Sequence, residues 1–179
     1  MKFFYAILVS TLILIGLNGC KKYEEGPNFS LRSTKQRVSG EWDITSYTVN
    51  NENALNFSFT DNLTCQTGSI VEYTVSFLVT RYVWIINENG DFTSEISVSS
   101  QELDDNTSYY ACNDYYTYNV TNNNTTGTWK LISDKEKFEI RDNTTGNFLT
   151  WEIKELREKQ MKLELIDGTY TTKLTLTKR

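Results

Sequence analysis

The chain has 179 residues, a formal net charge of −5 and no histidine. The lack of histidine excludes Ser-His-Asp and Cys-His catalysis, histidine metal ligands and a histidine pH switch. Charge is uneven, because residues 40–126 hold twelve Asp and Glu side chains against one basic residue, Arg81. Phosphate binding needs clustered Lys and Arg, so nucleic acid is not an expected partner. We expect no metal ion and no cofactor.

Residues 1–19 have the pattern of a secretory signal. Lys2 provides a positive start, residues 3–17 are almost wholly apolar, and small Gly19 stands directly before Cys20. The Gly19-Cys20 junction resembles the lipobox of bacterial lipoproteins, which implies that Cys20 becomes the first residue of the mature protein and carries acyl chains such as palmitate. A secretory peptide cut elsewhere and an uncleaved anchor helix remain open as alternatives.

The rest of the chain divides into a short polar segment and one domain. Residues 20–39 lack periodicity and contain Pro27, the only proline, so we expect a lipidated tether there. Residues 40–179 have a suitable length for a single domain.

Strand periodicity replaces the polar pattern of the tether. Trp42 and Ile44 alternate with polar residues, and Tyr47 continues out of phase, which indicates a β-bulge. Residues 71–79 hold one alternating phase, and the apolar run at 83–86 is typical of a strand that is buried on both faces or twisted.

A tight hairpin is predicted at Asn89-Gly90, since both residues tolerate positive φ. Alternation resumes at residues 92–98, and residues 109–120 predict a tyrosine-rich strand. Residues 152–165 have a helix-forming composition, but their apolar residues alternate on either side of 157–160, which favours a hairpin. Further strands are predicted to begin near Trp129, Phe138, Leu149, Met161 and Tyr170.

The pattern therefore predicts an all-β domain of eight to ten short strands joined by tight turns. Sequential hairpins favour an antiparallel up-and-down β-barrel of about eight strands, because closure removes both sheet edges. A two-sheet β-sandwich is the alternative.

Two cysteines remain when Cys20 is assigned to lipid. Cys65 and Cys112 form an even pair in an exported, oxidising setting, which predicts a disulfide. Two unpaired thiols are the alternative. Neither cysteine has a CxxC partner, so redox catalysis is not expected.

The motifs resemble those of the lipocalin-like lipoproteins of Bacteroidetes. The resemblance rests on Gly26-Pro27, on Ser30-Leu31-Arg32-Ser33, on Gly40-Glu41-Trp42 and on the later Gly127-Thr128-Trp129. In lipocalins the Gly-x-Trp motif marks the first barrel strand, and its Trp closes one end of the barrel. The resemblance therefore implies a lipocalin-like barrel with a structural, barrel-closing role for Gly40 and Trp42, and it names no ligand.

The segment after the lipid cysteine bears on location. Lys22-Tyr23-Glu24-Glu25 resembles the export signal that carries lipoproteins of this phylum to the outer face of the outer membrane. The resemblance implies a lipid-anchored protein of the bacterial outer membrane, displayed on the cell surface. Retention on the periplasmic leaflet is the alternative.

No catalytic motif accompanies these features. Without a Gly-x-Ser-x-Gly elbow or a Ser-x-x-Lys motif, we do not expect an enzyme. A closed eight-stranded barrel can hold one small ligand, and we expect a small apolar or amphipathic one, with Trp84, Tyr109, Tyr116 and Tyr118 as candidate lining residues. The alternative is a structural or adhesive surface module that binds an unspecified protein and has no ligand pocket.

Overall fold

The computed structural model describes Tyr23 and residues 32–179. Most of the described residues are in β-strands, and they are accompanied by two short α-helices, α1 (Thr34–Val38) and α2 (Asp105–Ala111), and by one 3₁₀ turn, Ser133–Lys135. The strands are β1 (Gly40–Val49), β2 (Glu52–Asn53), β3 (Asn56–Thr64), β4 (Ile70–Ile86), β5 (Asp91–Leu103), β6 (Tyr116–Ile132), β7 (Lys137–Asp142), β8 (Phe148–Leu156), β9 (Gln160–Asp167) and β10 (Tyr170–Lys178). Within the described residues no helix is long and apolar enough to cross a membrane.

The strands form a closed antiparallel barrel. Neighbours from β4 to β10 pair in sequence order, β10 pairs with β1, and β1 returns to β4 through Gly40↔Ile86 to Asp43↔Val83. Eight strands therefore complete the ring, and β2 and β3 lie outside it. The predicted up-and-down barrel is confirmed, and the two-sheet sandwich is excluded because one sheet closes on itself.

Sequence periodicity located most of these strands. The bulge predicted in β1 lies between Ile44 and Ser46. The two phases predicted at 71–79 and 83–86 belong to one long strand, β4, with an irregularity between Val79 and Arg81. Residues 152–165 form the β8–β9 hairpin rather than a helix.

One end of the barrel, here called the lower end, is closed by α1. Ser33 and Gln36 form a capping box that starts this helix, and Val38 at its end is fully buried. The guanidinium of Arg37 donates to the carbonyl of Leu156 at 2.8 Å, and the hydroxyl of buried Tyr23 donates to the backbone at 2.8 Å. The segment predicted to be a lipidated tether, residues 20–39, thus includes a packed helix, and the S-x-x-Q capping pattern was the sequence signal for that helix.

The Gly-x-Trp motif lies beside this helix. Trp42 is fully buried, and its Nε1 donates to the carbonyl of Val38 at 2.7 Å. The ammonium of Lys178 lies 4.9 Å from the centre of the indole ring and donates to the carbonyl of Arg37 at 3.0 Å. Gly40 has φ +135°, and a Cβ there would meet the Lys178 side chain at 2.5 Å. The glycine therefore leaves room for the lysine that covers the tryptophan.

Above the barrel, four strands continue as an extension of the same sheet. This extension consists of β3, residues 70–79 of β4, residues 97–103 of β5 and residues 116–126 of β6. A disulfide joins Cys65, after β3, to Cys112, after α2, with Cα atoms 5.3 Å apart. The predicted disulfide is confirmed, and it lies at the far end of the extension.

The strand predicted at residues 109–120 is wrong in its first half. Asp104 caps α2 by accepting from the backbone N–H of Thr107 at 3.1 Å, and Cys112 ends the helix in a left-handed conformation with φ 50°. Tyr109 lies on this helix, and the strand begins at Tyr116. A local capping group overrode the β preference of the tyrosines.

Candidate functional site

A cleft of about 320 Å³ opens at the upper end of the barrel, opposite α1. Its apolar wall comes from four strands: Trp84 of β4, Phe92 of β5, Ile140 of β7 and Leu149 of β8. Polar groups at its rim come from the β7–β8 turn and from Thr125 of β6. The cleft is open to solvent at its mouth and apolar at its base.

The pleat of the strands explains why these side chains meet. Cross-strand partners share one face of the sheet, and Trp84 is opposite Ser94, Ser94 is opposite Thr125, and Ile140 is opposite Leu149. Below them, the interior is filled by a packed core. Its largest fully buried members are Trp42, Phe138, Ile86, Leu156, Met161, Leu163 and Leu176. The lower part of the barrel is therefore filled by side chains, and this cleft opens above Trp84.

Three polar groups lie in the wall of the cleft. Burial raises the pKa of the Tyr82 hydroxyl, and contacts with the Trp84 and Ser94 side chains partly oppose that rise. Nε1 of Trp84 is buried and makes no well-formed hydrogen bond within the described part of the chain. An indole N–H without a well-formed hydrogen bond, beside the hydroxyls of Tyr82 and Ser94, provides hydrogen-bonding capacity in an otherwise apolar site.

The carboxylate of Asp142 lies at the rim. It accepts the backbone N–H groups of Thr144 and Thr145, both at 2.7 Å. These bonds, that from Thr145 first, lower the pKa of Asp142 below its usual 3.8. The carboxylate therefore orders the β7–β8 turn and is ionised at neutral pH.

The barrel wall is split at one side. Above Asp43↔Val83, β1 pairs with β2 while β4 pairs with β3. A second cleft, of about 340 Å³, lies in this gap, and Tyr82 lines both clefts. The ring of Tyr47 approaches that of Tyr82 edge-on at 6.3 Å, so two tyrosines bridge the split.

Exposed ion pairs flank the split. Arg81 pairs with Glu95 at 2.7 Å. Arg179 donates to both oxygens of Asp43 at 2.7–3.0 Å, and these bonds hold the pKa of Asp43 below its usual value. Surface pairs of this kind contribute little to stability, about 0–1 kcal/mol each.

Of the four candidate lining residues, only Trp84 lies in the cleft. Tyr109 lies on α2, and Tyr116 and Tyr118 lie on the extension, where Tyr118 is 73% exposed. Alternation in the sequence placed Phe92 on a strand, but sequence reasoning did not identify Tyr82 as a residue that lines the cleft. The β4 irregularity at Thr80 shifts the phase of Tyr82, so that only the folded strand shows which way it faces.

The remaining predicted site residues are at the ends of the molecule. Gly40 and Trp42 lie at the lower end, and Cys65 and Cys112 lie on the extension. Cys20 and the predicted signal lie outside the described residues. Among residues 32–179 with Tyr23, no group of three or more acidic or cysteine side chains is arranged to hold a metal ion.

Comparison with known proteins finds no matching family model and no matching curated protein. The barrel and its cleft are thus the grounds for a functional proposal.

Proposed function

We propose that this protein is a lipid-anchored, lipocalin-like binding protein that holds a small apolar or amphipathic ligand in its upper cleft. The observation that carries the proposal is the 320 Å³ cleft with an apolar base and, at its wall, an indole N–H that makes no well-formed hydrogen bond within the described residues. Clefts that bind small molecules measure about 300–1,000 Å³ and combine an apolar lining with a few polar groups.

The cleft limits what the ligand can be. Its volume is at the lower end of that range, so it suits a short acyl chain or a small ring system. Trp84 and Phe92 offer flat apolar surface at the base. Tyr82, Ser94 and Nε1 of Trp84 would orient a hydroxyl or carbonyl group on the ligand. Nothing in this set of groups supports a catalytic role, so the proposal is of a binding protein rather than an enzyme.

The position of Tyr23 relates the cleft to the proposed anchor. Tyr23 is buried against the lower end, where its hydroxyl donates to the carbonyl of Lys135. It follows Cys20 by only three residues, so a lipid on Cys20 would hold the lower end near the membrane. The cleft and the extension would then face away from it, toward the cell exterior for a protein on the outer face of the outer membrane.

The cleft is tested with 1-aminoanthracene, a neutral fluorescent probe. We expect its emission to rise on binding to the full-length protein, and we expect Leu149→Trp, which fills the rim of the cleft, to weaken binding at least about tenfold, since overfilling removes the space for a ligand. Ile166→Trp is the matched control, because Ile166 is 65% exposed and lies outside the cleft. Equal binding by both variants would refute the cleft as the site.

The anchor needs a separate test. Cells fed labelled palmitate should incorporate label into the wild-type protein and not into Cys20→Ser, and only the wild type should remain with the membrane fraction. Label on Cys20→Ser would reject the proposed lipid site.

The proposed display on the cell surface is tested with proteinase. Proteinase added to intact cells should degrade the protein if it is displayed on the surface. Full protection would place it on the periplasmic leaflet.

A second candidate, a surface interaction module, is favoured by the extension. Phe57 and Phe59 are each 48% exposed and lie against Phe77 with ring centres at 4.9 and 6.4 Å. Native mass spectrometry of protein purified from its own cells separates the two functions. A retained small apolar mass supports the carrier, and absence of both a retained mass and probe binding supports the interaction module.

A further inference from the structure

The upper half of β6 forms one border of the extension. Residues 116–126 pair along their whole length with β5, whereas β7 pairs only with residues 127–132. In the part of the chain that the structure describes, no strand lies on the other side of residues 116–126. This stretch is therefore an open strand edge.

Two hydrogen bonds show which backbone groups face outward along this edge. The carbonyl of Thr126 accepts from Asn143 on the side of β7, and the N–H of Trp129 donates to Gly90 on the opposite side. Backbone groups alternate in direction along a strand, and the β5–β6 register has no shift. The N–H and C=O groups of Tyr118, Val120 and Asn122 therefore point away from β5.

The edge lacks the features that usually prevent strand pairing. Protected edges carry charges, proline, bulges or a covering element. Residues 115–129 contain no charged residue and no proline, and residues 117–126 are all exposed. Tyr118 and Val120, at two of the outward-facing positions, are 73% and 68% exposed.

Charge indicates which partner suits this edge. In antiparallel self-pairing centred near Thr121, only Asn, Thr, Tyr and Val side chains would face each other, so no like charges meet. Asp114 would lie about 23 Å from that centre, at about 3.3 Å per residue, and the screening length in physiological salt is about 8 Å. Glu95 and Glu102, one strand behind the edge, would face the partner's β5 across about 14 Å. The opposite border of the extension, β3, carries Asp61 and is less suited to self-pairing.

We propose that two copies of this protein associate through the upper half of β6. Residues 117–125 of each copy pair in antiparallel order, so that the two extensions join into one continuous eight-stranded sheet. The pairing satisfies the outward backbone groups and covers part of Tyr118 and Val120. The interface is independent of whether the upper cleft binds a ligand.

Asn122→Pro and Asn122→Thr test the pairing. Both substitutions remove the amide side chain and its 2.6 Å contact with Ser97, but only proline removes an outward N–H. Proline is tolerated on an edge strand where its N faces solvent. We expect sedimentation equilibrium of the full-length chain, in density-matched detergent, to show a dimer for wild type and Asn122→Thr. The dissociation constant of the Asn122→Pro dimer should be at least about tenfold higher than that of the wild type, because the two-fold axis doubles the number of hydrogen bonds lost.

Two further measurements keep the proposal open to refutation if Asn122→Pro misfolds. Amide exchange at Tyr118 and Val120 should slow as protein concentration rises, while exchange at Asn119, which faces β5, should not change. Added salt should leave the dimer intact or strengthen it, since only distant like charges are screened. A wild-type monomer, concentration-independent exchange, or a salt-dissociated dimer would each overturn the proposal.

Discussion

Trp42 and Trp151 provide a matched pair for measuring what one indole hydrogen bond contributes to this barrel. Both side chains are buried, with exposures of 0% and 5%. Trp→Phe removes the same atoms at both sites, roughly 40 Å³ of side chain, and a cavity of that size costs about 1 kcal/mol at about 24 cal/mol per Å³.

The hydrogen bonds differ between the two sites. Nε1 of Trp42 donates to Val38 at 2.7 Å, so Trp42→Phe leaves a buried carbonyl without that donor, at a cost of about 1–3 kcal/mol. The contact with the Lys178 ammonium also weakens on the smaller ring. By contrast, Nε1 of Trp151 has no hydrogen-bond partner among the residues that the structure describes. Trp151→Phe therefore removes a buried donor whose burial is unfavourable, which offsets part of the cost of the cavity.

We therefore expect Trp42→Phe to lower the free energy of unfolding by about 3 kcal/mol and Trp151→Phe to change it by less than about 1 kcal/mol. Urea denaturation followed by far-UV circular dichroism measures both values, and equal slopes against urea confirm that the unfolded states are comparable. Equal losses for the two variants would refute the reasoning, since cavity size alone would then account for both.

Three further predictions test the extension, the strand crowding and the acid response. Replacing Cys65 and Cys112 by Ser should reduce the free energy of unfolding by at most about 4 kcal/mol, because the unfolded chain gains conformational entropy when a loop of this length is no longer closed. A calorimetric scan with and without reductant measures the loss. No change would mean that the extension unfolds separately from the barrel. Gly127→Ala should cost about 1–3 kcal/mol in chemical denaturation, because its Cβ would meet the Arg141 carbonyl of the adjacent strand; a neutral result would show that β6 and β7 can move apart. The lowered pKa of Asp142 contributes stability that is present above pH 3.8 and is lost as pH falls through the folded-state pKa. Asp142→Asn should therefore be less stable at pH 7, and its free energy of unfolding should fall less on acidification. An unchanged dependence of stability on pH would exclude a stabilising role for the Asp142 carboxylate.

Local patterns in the chain located most of the barrel strands, although the strand predicted to begin near Trp129 is the lower part of β6. Alternation of apolar and polar residues located β1, β5 and the β8–β9 hairpin, because side chains on a half-buried strand must alternate in polarity. The same reasoning did not anticipate α1, which lies in the predicted tether, and it failed at α2, where a capping side chain outweighs strand preference over a few residues. Both caps, Ser33 with Gln36 and Asp104 with Thr107, can be read from the sequence.

The site was less accessible to such reasoning. Trp84 was named as a lining residue because aromatic side chains favour cavities, but Tyr109, Tyr116 and Tyr118 share that chemistry and lie elsewhere. Sequence separation gives no indication that β4, β5, β7 and β8 meet at one cleft. Their meeting depends on the closure of β1 against β4, which is a pairing between distant segments.

The sequence by itself determined the class of fold and the disulfide pair, since each follows from local periodicity or from residue chemistry. Only the tertiary structure decided where the barrel is filled, where it opens and which strand edge remains exposed. The physical reason is that register and strand length set these properties. β4, β5 and β6 are longer than their partners in the ring, so they extend beyond the closed core and carry unpaired backbone groups into solvent.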